Sequence, residues 1–133
     1  MVRSKRRSRG FTLIELMIVM SIILILVSIS IPIYNQSITR AKESVLRDDL
    51  FTLRNLINQY TLDKQKAPQT LDDLVSGGYL KQLPKDPFTN RTDSWTTEQE
   101  DVLLSADQQE PGITDVHSGS TLTSLDGSAY NTW

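Results

Sequence analysis

Between Phe11 and Ile33 the chain sets out 23 residues with one charged side chain, Glu15, and from Leu16 onward there is none. At a rise of about 1.5 Å per residue this run makes a helix roughly 34 Å long, enough to cross a hydrocarbon core of about 30 Å. A helix apolar on every side has no place on the surface of a soluble fold, so an ordinary cytosolic enzyme is excluded. A cleavable secretory signal would carry an apolar stretch of about 7–15 residues and then a small-residue cleavage site. This run is longer, and Ser28 to Tyr34 offers no such site, so the segment is expected to stay in the protein.

The flanks set its orientation. Met1 to Gly10 carries Arg3, Lys5, Arg6, Arg7 and Arg9 with no acid, a charge of +5. The rest holds nine basic and sixteen acidic groups, or −7, so the formal net of −2 averages two unlike parts. A basic tail can contact nucleic acid or anionic lipid. Directly before an apolar run it reads as the cytoplasmic flank of a membrane segment by the positive-inside rule. No nucleic-acid partner is expected, and the residues after Tyr34 are expected outside the inner membrane.

Helical spacing continues past that edge. Tyr34, Ile38, Ala41, Val45, Leu46, Leu50, Leu53, Leu56, Ile57 and Tyr60 recur at steps of three and four. Arg40, Lys42, Glu43, Arg47, Asp48 and Arg54 fall between them and read as a solvated back. No glycine interrupts Phe11 to Asp63, and Pro32 is the one proline. Pro32 removes a backbone donor and is expected to kink or loosen the helix, which a membrane setting tolerates. The pattern predicts one helix of about 50 residues, some 75 Å long.

Beyond Asp63 the texture changes to short elements. Thr70 with Asp73 three residues on resembles a capping box before LDDLV, and Gly77-Gly78 closes that short helix. Pro84, Pro87 and Asn90 mark a loop. VLLS at 102–105 and ITDV at 113–116 read as strands, with Trp95 on a third, weaker one. Some 70 residues with three short strands cannot build a large core alone, so the sheet is expected to pack on the Leu46–Tyr60 stripe. The fold class is therefore α+β, a long N-terminal helix on a small antiparallel sheet. Its parts are a leader at 1–10, an assembly half of the helix at 11–33, an amphipathic half at 34–62 and a small globular domain at 63–133.

The junction RSRG–FTLIE is the sharpest signal: a basic leader ends in Gly10, Phe11 opens the apolar helix, and Glu15 is its fifth residue. It resembles the class III signal of type IV pilins and type II secretion pseudopilins. The resemblance implies cleavage after Gly10 by a prepilin peptidase and N-methylation of Phe11. It also implies a role in assembly for Glu15 and Pro32. The block GYLKQLPKDP at 78–87, with the C-terminal Trp133, further resembles the G-type major pseudopilins. Pilin-like fold, periplasmic domain and helical self-association are what such a protein would show. Its partners would be minor pseudopilins, an inner-membrane platform with its ATPase, and lipid before assembly. A surface pilin for adhesion, motility or DNA uptake is the alternative, as is a membrane-anchored binding domain that is never processed.

The same resemblance implies a calcium ion near the C-terminus, for which Asp126, Ser118 and Asp115 are the candidates. The loop from Ser118 to Trp133 has Asp126 as its lone acid, where calcium takes six to eight oxygens. Enzymatic chemistry finds little support. No cysteine is present, so thiolate zinc sites and disulfides are excluded, and His117 is the single histidine. Asp115, His117 and Ser118 crowd into four residues, which does not suit a nucleophilic triad. No phosphate-binding loop occurs. His117 reads instead as a strand-end residue.

Overall fold

The computed structural model describes residues 9–100, 106 and 111–133. Helix α1 runs Leu13–Lys64 over 52 residues, and α2 is Asp72–Ser76. Strands β1 (Thr96–Gln99) and β2 (Ile113–His117) pair antiparallel, and a 3-10 turn follows at Tyr130–Thr132. The chain divides into two compact units, residues 1–38 and 39–133. The fold is α+β, as the residue pattern predicts, and pilin-like, as the resemblance implies.

In the first unit the helix is bare. Leu13, Ile14, Met17, Leu24 and Ile25 are all exposed, and the best 18-residue window has a mean hydropathy of 2.8 with none of it buried. This is one helix long and apolar enough to cross a membrane, by length and composition. Its serines do not spoil it, because each turns back on the helix. Ser21 donates to Met17 O at 2.7 Å, Ser28 to Ile25 O at 2.7 Å, Ser30 to Leu26 O at 2.8 Å and Ser37 to Ile33 O at 3.0 Å. A hydroxyl bonded to the preceding turn presents no unpaired donor to hydrocarbon. Pro32 lies inside α1, and the helix continues through it rather than ending.

In the second unit the helix buries one stripe: Glu43, Leu46, Leu50, Leu53 and Ile57, stepping by three and four. Leu71, Leu74, Trp95, Ile113, Val116 and Tyr130 close over it. Val45, predicted on the buried stripe, is about half exposed. Leu74 belongs to α2, which ends as foreseen at Gly77-Gly78. Gly78 takes φ +82°, Tyr79 N–H donates to Leu74 O at 2.9 Å and Gly78 N–H to Val75 O at 3.1 Å, a Schellman stop that favours glycine. The start of α2 differs from the expected box. The Asp73 carboxylate accepts from Thr70 N–H at 3.0 Å and Gln69 N–H at 2.8 Å, while the residue at the N-cap is Leu71.

ITDV is strand as predicted, and β2 extends it to His117. The weaker strand falls at Thr96–Gln99, with Trp95 just before it and buried. VLLS at 102–105 lies outside the described residues. The register pairs Thr96 with His117 and Glu98 with Asp115, then slips at Glu98/Gln99 so that Gln99 faces Ile113. Thr114 is the extra residue of this bulge. It explains why Ile113 and Val116, three apart, both point into the core. Just past β2, a Cβ on Gly119 would collide with the Ser94 carbonyl oxygen, so the two loops can close together only over glycine.

Leu53 is fully buried in the centre of this stripe. Leu53→Ala should lower stability by about 2–5 kcal/mol. Urea unfolding of the full chain in detergent micelles, followed by tryptophan fluorescence, measures the shift in midpoint.

Candidate functional site

The residues at the head of α1 form one group. Thr12 is the N-cap: its Oγ1 accepts from Glu15 N–H at 3.2 Å, and its carbonyl accepts from Leu16 N–H at 3.2 Å. Threonine three residues before glutamate is the capping-box spacing. That signal was present in TLIE and was not singled out from the sequence. The cap places Glu15 in the first turn, where the positive end of the helix favours a carboxylate. Arg9, Gly10, Phe11 and Glu15 line one open concavity, so the expected processing residues and the lone acid share a surface. Phe11 is 84 % exposed, and a Cβ on Gly10 would meet nothing within 4 Å. Among the described residues, packing therefore makes no demand for glycine at position 10. Pro32, the other expected assembly residue, lies within the helix away from this group in sequence.

A second group gathers where the C-terminal segment crosses α1 in the globular unit. Glu43, assigned to the solvated back by sequence, is buried. Its Oε1 accepts from Leu125 N–H and from the Tyr130 hydroxyl, both at 2.9 Å. Burial and this hydrogen bond push the Tyr130 hydroxyl up to about 12. Arg54 also departs from the solvated back. Its Nε donates to Asp115 Oδ1 at 2.6 Å, and Nη2 donates to Val116 O at 3.0 Å and Trp133 O at 2.5 Å. Arg47 lies over the Trp133 ring at 4.4 Å, Tyr130 meets that ring edge-on, and Phe88 stacks on Tyr130 at 3.8 Å. Three helix side chains thus hold one tail.

The loop residues expected to bind calcium are placed as follows. Asp126 Oδ1 accepts from the hydroxyls of Ser124 and Ser128 and from Ser128 N–H at 3.0 Å. Those hydrogen bonds draw its carboxyl down to about 2. Ser118 donates to the buried Asp86, which also accepts from Phe88 N–H at 2.9 Å. Burial works to raise the Asp115 carboxyl, but the bonds from Arg54 and Val116 N–H override it and leave it below its ordinary value. Each of the three candidates thus bonds to partners of its own: Asp126 to two serines, Ser118 to Asp86 and Asp115 to Arg54. Asp126 is the one carboxylate of that loop, and its Oδ1 is taken by Ser124 and Ser128, a poor oxygen supply for a calcium ion that needs six to eight. Asp86 was read only as part of a motif block; the Asp-Pro pair before a turn is the signal that would have marked it.

Residues 5–31 match the family signature described as a prokaryotic N-terminal methylation motif. The type II secretion system core protein G of Aeromonas hydrophila is 36% identical over 102 residues, 65% of this chain and 71% of that protein. Those of Vibrio cholerae and Escherichia coli K12 are 34% and 32% identical, each over 67% of this chain and 71% and 72% of the relative. This chain belongs to the type II secretion system core protein G family. No solved structure gives a significant match. Family membership makes it a pseudopilin, a structural component of a secretion system, and the bare apolar helix fits anchoring in a membrane.

The serine bonds to Asp126 give a pH prediction. A carboxyl at about 2 in the folded chain, against an ordinary 3.8, stabilises the fold fully above 3.8 and loses that contribution as pH falls towards 2. Thermal melts between pH 5 and pH 2, read by circular dichroism, should fall less steeply for Asp126→Asn than for the parent chain.

Proposed function

We propose that the protein is the major structural subunit of an envelope-spanning pseudopilus that moves folded proteins outward. It waits in the inner membrane with residues 1–10 in the cytoplasm and the globular unit in the periplasm. A prepilin peptidase cuts after Gly10 and methylates the amine of Phe11. The exposed peptide bond, the open space around Gly10 among the described residues and the methylation-motif match support this step. Subunits then polymerise through residues 11–33, with Pro32 as a point where the helix adjusts. A platform with a cytoplasmic ATPase supplies the work, and minor pseudopilins complete the filament.

The observation that carries this reading is Glu15. A carboxylate in hydrocarbon costs about 2.5–3.5 kcal/mol by insertion scales and so calls for a partner. Within the helix the nearest basic side chains on its C-terminal side begin at Arg40. On the N-terminal side Arg9 shares its concavity, but cleavage removes Arg9 and creates a charged amine on Phe11. That amine pairs with Glu15 of a neighbouring subunit and fixes the axial register. Methylation leaves the charge in place, so the pair survives it.

A surface pilus would use the same machinery, and shearing of cells separates the two because a pseudopilus leaves no sheared filaments. Mass spectrometry of the isolated protein should find N-methyl-Phe11 at the start; an intact leader would refute processing. Glu15→Ala and Glu15→Leu should insert into the membrane normally yet fail to form filaments. Wild-type assembly by both variants would sink the pairing.

A further inference from the structure

The antiparallel register sets two acids face to face. Glu98 on β1 lies opposite Asp115 on β2, and like charges so placed repel. His117, two residues along β2, shares their face of the strand and brings its Nε2 to 3.2 Å from Glu98 Oε1 and 3.7 Å from Asp115 Oδ2. One ligand atom from each of the three side chains lies within 4.8 Å of the other two. Ligands about 2.0–2.2 Å from a tetrahedral zinc ion sit some 3.3–3.5 Å apart, so these spacings approach a three-point N/O site.

Two further contacts orient the donors. His117 Nδ1 lies 2.6 Å from the Trp133 main-chain oxygen, which can only accept, so Nδ1 donates there and Nε2 is the nitrogen turned towards the acids. A carbonyl on the far nitrogen is the usual way a ligating histidine is held. On Asp115 the Arg54 Nε and the Val116 N–H both occupy Oδ1, which leaves Oδ2 for the cluster. His117 is largely buried, while Glu98 is mostly exposed and gives an ion a path in from solvent.

We propose that Glu98, Asp115 and His117 form a site for a divalent transition-metal ion of the zinc type, with water in the fourth position. The ion neutralises the facing acids and pins β1 to β2 beside the tail that Arg54 holds. An imidazole donor and a three-ligand set select such an ion over calcium, which takes oxygen and more of it. The site is distinct from the serine-bound Asp126 and does not depend on filament assembly.

The test uses the untagged full chain in detergent micelles, freed of metal by chelator and titrated with Zn2+ by calorimetry. One equivalent should bind, with a rise in melting temperature that chelator reverses. His117→Gln, which can still donate to Trp133, and Glu98→Gln, at an exposed position, should each weaken binding by about tenfold or more. Asp93→Asn, in an exposed pair with Arg91, should leave it unchanged. Excess Ca2+ should not displace the zinc. No binding to the parent chain, equal affinity in the His117 and Glu98 variants, or displacement by Ca2+ would each overturn the site.

Discussion

Burial of a single stripe on α1, from Leu46 to Ile57, is what the globular unit is organised around. The elements beyond it are short: a five-residue helix, strands of four and five residues and a 3-10 turn. None could hold its shape alone, since a two-stranded ribbon is at best marginal in water. The short helix, β2 and the 3-10 turn each contribute one or two apolar side chains to the core on that helix face, and Trp95 joins them from just before β1. The helix is therefore a template, and the order of the rest follows from what it covers. Glu43 extends that template by one polar step, because its carboxylate satisfies a backbone N–H and a tyrosine hydroxyl that the closing tail would otherwise bury unpaired.

Polar contacts then give the small core its uniqueness. Arg54 answers an acid and two main-chain oxygens at once, and Asp86 ties the turn after Pro84 to Ser118. Among the described residues no buried side-chain polar atom lacks a partner. The bulge at Glu98/Gln99 and the glycine that lets Ser94 approach complete the fit.

Much of this was legible in the residue pattern, for identifiable reasons. The long helix declares itself through an unbroken apolar run and then a sustained three-four spacing. The short helix shows through its glycine stop, and β2 through its β-branched residues. The Gly10-Phe11-Glu15 junction is a contiguous signal and needs no tertiary information. Glu43 and Arg54 were misplaced because a charged residue scores as solvent-facing, while their partners lie 61 to 87 residues away. Nothing local announces them. β1 was hard to see for a different reason: TTEQ has no apolar alternation, and it is strand because β2 offers it hydrogen bonds.

The four serines that fold onto the preceding turn of α1 have a consequence for how such a helix changes surroundings. A segment whose hydroxyls are already quenched by its own carbonyls looks the same to lipid tails as to the flanks of sister helices. In the proposed assembly, passage from one milieu to the other would then ask for no rewiring of donors and acceptors within it. Only the terminal acid would sense the difference.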